Sequence, residues 1–99
     1  MSHRFEAGDV TIRYLDWGEG SPRHLILLHG LGSQAHTWDQ FADEVSDSFR
    51  VVVPDLRGHG ESGHTEDGYT LDRFAADVKA VIRHLNLSTF DLVGHSLGA

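Results

Sequence analysis

Residues 94–98 read Gly94-His95-Ser96-Leu97-Gly98, directly after the short apolar run Phe90–Val93. A serine between glycines two positions to either side is the pattern of a nucleophile elbow, a sharp turn from strand to helix. The serine takes strained backbone angles there and crowds those two neighbours. Glycine, lacking a β-carbon, lets strand and helix come that close. The turn lifts Oγ of Ser96 above the sheet and aims the N–H of Leu97 where an oxyanion would form, helped by the N-terminus of the following helix. The chemistry predicted is nucleophilic attack through a covalent intermediate.

Such chemistry needs a second N–H, expected from the loop after an earlier strand. His29-Gly30-Leu31-Gly32 stands there, following the run HLILL. Gly30 and Gly32 let the backbone turn close to the site and leave the amide of Leu31 as the second donor. One such donor can lower the barrier by about 3 kcal/mol.

The elements that must hold these residues alternate along the chain. Val10–Asp16 (VTIRYLD) alternates in the manner of a half-buried strand. Arg4–Ala7 can pair with it across Gly8-Asp9, a two-residue hairpin turn. Trp17–Pro22 is a loop by composition. His24–His29 and Arg50–Pro54 are continuous apolar runs suited to strands covered on both faces, and Phe90–Val93 is a third buried-strand candidate. Between the first two, Thr37-Trp38-Asp39-Gln40 fits a capping box, and Trp38, Phe41, Ala42 and Val45 follow at helical spacing. Asp55–Gly68 is a long, glycine-rich loop, of the length that is usually functional or mobile. Leu71, Phe74, Ala75, Val78, Ile82 and Leu85 form a helical stripe, with Thr70 as cap, Asp72 in the first turn and Asn86 as a left-handed stop. Strand and helix in alternation predict right-handed βαβ units and a parallel sheet, with the hairpin at one edge. The Gly-x-Ser-x-Gly motif then stands at the carboxyl end of a central strand, where open α/β sheets place their sites.

HGLGSQAHTW, DLRGHGES and VGHSLGA, in that order and separation, resemble the α/β-hydrolase fold superfamily. The nearest resemblance is to its small-ester branch of carboxylesterases, enol-lactonases, carbon–carbon bond hydrolases and cofactor-free haloperoxidases. The resemblance covers essentially the whole chain. It implies Ser96 as nucleophile, Leu31 and Leu97 as oxyanion amides, Gly94, Gly98, Gly30 and Gly32 as elbow and loop glycines, and a largely structural loop from Asp55 through Ser62. Related epoxide hydrolases and haloalkane dehalogenases carry Asp at the elbow, and Ser96 argues against both. The family's triad continues with an acid and then a histidine, both far downstream of the serine. The fold expected is therefore α/β: a truncated α/β-hydrolase fold with a mostly parallel sheet of about five strands, an amino-terminal hairpin and two helices, ending at the elbow. Residues 1–99 are expected to be the incomplete amino-terminal part of a single domain, almost inactive alone for want of a general base.

Plainer roles compete at several positions. His95 adjoins Ser96, but neighbours in a tight elbow point apart. His29 and His59 lie on loops at the same sheet edge, where lining or structural roles compete with that of base. Gly60-Glu61-Ser62-Gly63-His64 mimics a serine motif without a strand before it and reads as ordinary loop. Trp38 can line an acyl pocket or fill the core, and its helical stripe favours the core. Asp55 sits where it can hold the amides of its own loop rather than serve as a triad acid.

Composition bounds the rest. The 99 residues carry a formal net charge of −7, which disfavours nucleic acid and anionic membrane as partners. With no cysteine there is neither a disulfide framework nor a thiolate metal site. Eight histidines invite a metal, but no pair shows the HExxH spacing; His59 and His64 share a Gly-rich loop and could meet, yet ordinary surface and loop histidines are the better account. No cofactor and no metal are expected. The start MSHRFEAGDVTIRYLD lacks the unbroken apolar core of a signal peptide, and the run Leu25–Leu28 is far too short to span a bilayer. A cytoplasmic protein acting on a small ester or acyl substrate is the expectation. Two rivals remain. One is a non-catalytic truncated module that associates with a complementary fragment or with itself through an exposed sheet edge. The other is a nucleotide-binding domain, which the absence of GxGxxG and GxxxxGK[ST] spacing disfavours.

Overall fold

The computed structural model describes residues 2–18 and 22–95. Five strands, β1 (Ser2–Ala7), β2 (Val10–Trp17), β3 (His24–Leu28), β4 (Arg50–Pro54) and β5 (Asp91–Gly94), form one sheet in the order β1-β2-β4-β3-β5. β1 and β2 make the expected hairpin: Ala7 pairs with Val10 across a turn in which Gly8 has φ +73°. β2 is antiparallel to β4, whereas β3 runs parallel to both β4 and β5. The sheet is thus mixed, with its parallel part in β4-β3-β5.

Two helices cover it: α1 (Asp39–Val45), entered through the 3₁₀ turn Ala35–Trp38, and α2 (Leu71–His84). The first connection steps from β3 to β4, the second back past β3 to β5. Right-handed crossovers in opposite directions place their helices on opposite faces. The packing follows. Ile12, Tyr14, Ile26, Leu28 and Val52 pack with Val81 of α2, and Leu15, Leu25, Leu27, Val51 and Val53 pack with Ala42 of α1. Consecutive residues of β3 and β4 point to opposite faces and both faces are covered, which is why HLILL and RVVVP are apolar throughout.

Three local expectations are corrected. Thr37 caps no helix: the chain is already in the 3₁₀ turn at that point, Trp38 is the N-cap of α1, and the Thr37 hydroxyl donates to the Gln34 carbonyl at 2.7 Å. β2 is buried on both faces rather than one, because ion pairs replace solvent around its charged residues: Arg13 with Asp55 at 2.7 Å and Asp16 with Arg50 at 2.8 Å. β5 is neither central nor buried. Among the described residues it pairs with β3 alone, and Leu92 and Val93 stay 52% and 40% exposed.

The signals at the two ends of α2 hold. The Thr70 hydroxyl accepts the Arg73 N–H, and Asn86 has φ +57° at the end of α2. No helix among the described residues is long and apolar enough to cross a membrane.

Candidate functional site

The carboxyl ends of β3 and β5 lie side by side. Leu28 is in register with Gly94, and the N–H of His95 donates to the Leu28 carbonyl at 3.1 Å. Leaving β3, Gly30-Leu31-Gly32-Ser33 turns back on itself, closed by the Ser33 N–H donating to the Gly30 carbonyl at 3.1 Å. Gly32, third in the turn, has φ +76°, which a side chain would oppose through backbone strain, since no atom stands within 4 Å of where its Cβ would be. Leu31 occupies the second position, whose N–H the turn does not use, and its side chain is 74% exposed. The turn that holds the sequence-predicted residues Gly30, Leu31 and Gly32 thus begins two residues beyond Leu28, the register partner of Gly94. Ser96, Leu97 and Gly98 lie outside the described residues.

His29 opens this turn from a buried position. Its Nε2 receives the Leu56 N–H at 3.0 Å, so that nitrogen carries a lone pair and the ring proton sits on Nδ1. Nδ1–H then donates to the Gly30 carbonyl at 2.8 Å. Burial pushes the His29 pKa below its ordinary value, with the nearby His59 ring acting in the same direction; the bond to Gly30 and the charge of Asp55 oppose it. Both ring nitrogens are occupied, so His29 is no free base. His59 lies with its ring centroid 5.0 Å from that of His29, and its Nδ1 is 3.0 Å from the Arg57 carbonyl.

Asp55, fully buried at the end of β4, organises the neighbouring loops. Oδ1 accepts the Ala35 N–H at 2.7 Å, while Oδ2 accepts the Glu61 N–H at 2.8 Å and Nε of Arg13 at 2.7 Å. The carboxylate therefore joins the far end of the β3 loop, the DLRGHGES loop and strand β2. Gly60 (φ +52°) runs so close that a Cβ there would come within 2.4 Å of the carboxylate. Ser62 is equally committed: its hydroxyl donates to the Asp55 carbonyl at 2.7 Å and accepts the Arg13 N–H at 2.9 Å. The serine-like motif around it is loop structure, as its setting in the sequence indicates.

The Asp55–Gly68 segment is long yet pinned. Arg57, buried, pairs with Asp77 of α2 at 2.7 Å and with Asp9 of the hairpin turn at 3.0 Å. The Asp77 hydrogen bond raises the Arg57 pKa, and Arg57 in turn holds the Asp9 carboxyl below its ordinary value. Trp38 packs with Leu15, Leu25 and Val53, a core role, although its buried Nε1 has no partner among the described residues. Among the described residues no group of three or more His, Asp or Glu side chains is placed to hold a metal ion.

Arg13, Arg57 and Asp77 are buried structural supports that the residue patterns did not single out. The one signal for Arg13 is a charge in mid-strand between Ile12 and Tyr14, where an exposed face would equally account for it.

Comparison with known proteins meets this geometry at the family level. Residues 23–99 match the sequence model of the alpha/beta hydrolase fold family. The non-heme haloperoxidase of Rhodococcus erythropolis is 41% identical over 94 residues, covering 93% of this chain and 34% of that protein. The crystal structure of E-2-(acetamidomethylene)succinate hydrolase superposes with a TM-score of 0.90 at 34% identity, over 99% of this chain and 36% of that one. The enol-lactonase from Burkholderia xenovorans LB400 gives 0.91 at 26% identity, over 97% and 38%. The chain spans about a third of the length of the curated relatives it matches.

Proposed function

We propose that this chain, which belongs to the α/β-hydrolase fold family, supplies the nucleophile and both oxyanion amides of a serine hydrolase acting on small esters or related acyl compounds. Residues 1–99 would form the amino-terminal part of that enzyme's single domain. One observation carries the reading. The Leu28–Gly94 register and the His95–Leu28 hydrogen bond bring the strand that feeds Gly94-His95-Ser96-Leu97-Gly98 alongside the Gly30–Ser33 turn. The ends of the two strands that lead into the sequence motifs most suited to acyl transfer are thereby neighbours.

Oγ of Ser96 would attack the acyl carbon while the amides of Leu31 and Leu97 stabilise the oxyanion. The alcohol leaves with a proton, and water then attacks the acyl-enzyme to release the acid and restore the serine. Proton transfer in both steps requires a general base. His29 cannot act as that base while both its ring nitrogens are bonded, so an acid and a histidine from further along the enzyme would provide it. A cytoplasmic setting fits the sequence expectation.

A fluorophosphonate, which loses fluoride to an activated serine, tests the assignment. The complete hydrolase should be labelled stoichiometrically at Ser96, and Ser96→Ala should abolish both labelling and ester turnover. Residues 1–99 alone should label far more slowly. Rapid stoichiometric labelling of the 99 residues would overturn the need for an outside base, and labelling elsewhere would overturn the nucleophile.

A second reading has its own observation. Leu92 and Val93 are exposed on β5, and an apolar cleft of about 530 Å³ opens between α2 and this edge. An associating module, pairing by β5 with a second copy of the chain, would cover that surface. Sedimentation at several concentrations separates the readings, since a concentration-independent monomer would rule the second one out.

A further inference from the structure

We propose that His29 is a positioning residue for the oxyanion amide of Leu31, acting through the peptide group that joins Gly30 to Leu31. The inference rests on the serine hydrolase reading above and concerns how its donor is aimed. A trans peptide is planar, so the Gly30 carbonyl and the Leu31 N–H point in opposite directions as one rigid unit. Whatever fixes the carbonyl also fixes the N–H. Two donors converge on that carbonyl: Nδ1–H of His29 at 2.8 Å and the Ser33 N–H at 3.1 Å. With both in place the peptide cannot rotate without breaking two hydrogen bonds, one of them buried.

The ring itself has no freedom to choose otherwise. The Leu56 N–H occupies Nε2 at 3.0 Å, which selects the tautomer that donates from Nδ1. Leu56 follows Asp55, whose carboxylate holds the Ala35 N–H at the other end of the same loop. The donor loop is therefore gripped at both ends by one short segment after β4. Donors on the carbonyl also polarise the peptide, making the opposite N–H a stronger donor towards developing negative charge. A misplacement of about 1 Å in such a group can cost on the order of a hundredfold in rate.

Proton uptake would undo the arrangement. An imidazolium has N–H on both nitrogens, and Nε2–H would face the Leu56 N–H. Among the described residues, His59 and Asp55 are the ionisable groups that act on the ring. Protonated His59 opposes the change and ionised Asp55 favours it.

Asparagine and glutamine dissect the two bonds. In the complete hydrolase, His29→Asn puts an amide N–H near the place of Nδ1, keeping the bond to Gly30 and losing that from Leu56. His29→Gln puts an amide oxygen near Nε2 and does the reverse. The reactions to measure are fluorophosphonate labelling of Ser96 and ester turnover, with melting temperatures for each variant. His29→Ala and His29→Gln should slow labelling and kcat by about tenfold or more with little change in KM. His29→Asn should recover most of that loss although it is no more stable than the Gln variant. Equal slowing by Asn and Gln, or rates that track melting temperature, would overturn the proposal. Nitrogen NMR of the wild-type imidazole supplies a readout independent of catalysis, since a ring protonated at Nε2 rather than Nδ1 would also overturn it. If wild type does not label at Ser96, the nucleophile reading fails and this inference goes with it. If wild type labels normally and the Asn and Gln variants do not separate, the positioning role alone fails.

Discussion

The loops beyond β3 and β4 differ in kind from the strip between α2 and β5. In the first region, buried polar groups are met almost completely: Asp55 takes three donors, His29 one donor and one acceptor, and Ser62 two partners. In the second, Leu28, Phe74, Val78, Ile82, Phe90 and Leu92 line an open apolar cleft with side chains that carry no hydrogen-bonding group. Apolar burial scales with area and has no direction. Hydrogen bonds have direction, and a donor aimed at a reacting atom needs it. Among the described residues, directed interactions gather in the loops beyond β3 and β4, and undirected apolar surface lies between α2 and β5.

The contrast is broken most severely at Asp55. Asp55→Ala removes the acceptor of three donors and leaves the guanidinium of Arg13, 2% exposed, without its main partner. Breaking a buried pair from one side costs about 3–5 kcal/mol. Urea denaturation should show a loss of that size. A loss under 1 kcal/mol would mean that the network is decoration on a fold held by the sheet alone. Asp55→Asn should fall between wild type and Ala, because one carbonyl oxygen remains to receive an amide.

Acid tests the same region without mutation. Above the ordinary imidazole pKa of 6.5, folded and unfolded chains both hold His29 neutral, and its buried bonds contribute in full. As pH falls below that value the unfolded chain takes up a proton that the folded ring resists. Stability then declines until the lowered folded pKa is passed, at a slope of at most about 1.4 kcal/mol per pH unit for one proton. Comparing wild type with His29→Asn between pH 7 and pH 5 isolates this share. The wild type should lose stability more steeply, and parallel curves would place the acid sensitivity elsewhere among the histidines.

Legibility in the sequence followed the same divide. Strands covered on both faces announced themselves as HLILL and RVVVP, and Thr70, Asn86 and the Gly8-Asp9 turn were readable because each acts within a few residues of itself. The capping box at Thr37 failed because a 3₁₀ turn, whose spacing of donors and acceptors differs from that of an α-helix by one residue, had already begun. β5 was misjudged as buried because an apolar run states what a strand can tolerate and not what stands beside it. Arg13 was invisible for the opposite reason. Its partner Asp55 is 42 positions away in the chain, and no local pattern carries that pairing. Gly30, Leu31, Gly32 and Gly94 come from short motifs that follow or end neighbouring strands, while the brace of His29 with Leu56 and Asp55 with Ala35 is long-range and emerges from the fold.

A smaller effect sharpens the comparison at the start of α2. Thr70 accepts the Arg73 N–H at 3.2 Å on an exposed helix end, a local and solvated bond. Thr70→Ala should cost about 1 kcal/mol. Set against Asp55→Ala, it separates a hydrogen bond that merely satisfies a helix terminus from one that joins three elements in the interior. If the two substitutions cost the same, burial and connectivity are not what distinguishes the loop cluster.

The smallest change in stability is expected on β5. Leu92→Lys places a charge on a half-exposed side chain that borders the apolar cleft, and surface substitutions of this sort usually shift stability by no more than about 0.5 kcal/mol. Its effect on association should be larger, because a lysine on an open strand edge deters pairing with a second chain. Under the associating-module reading, sedimentation of residues 1–99 should show concentration-dependent association that this substitution weakens. The loop cluster beyond β3 and β4 is held chiefly by polar groups paired with one another, as at Asp55, His29 and Ser62. Association that persists unchanged in the lysine variant would move the contact away from β5, and it would remove the reason for treating that edge as the uncommitted part of the molecule.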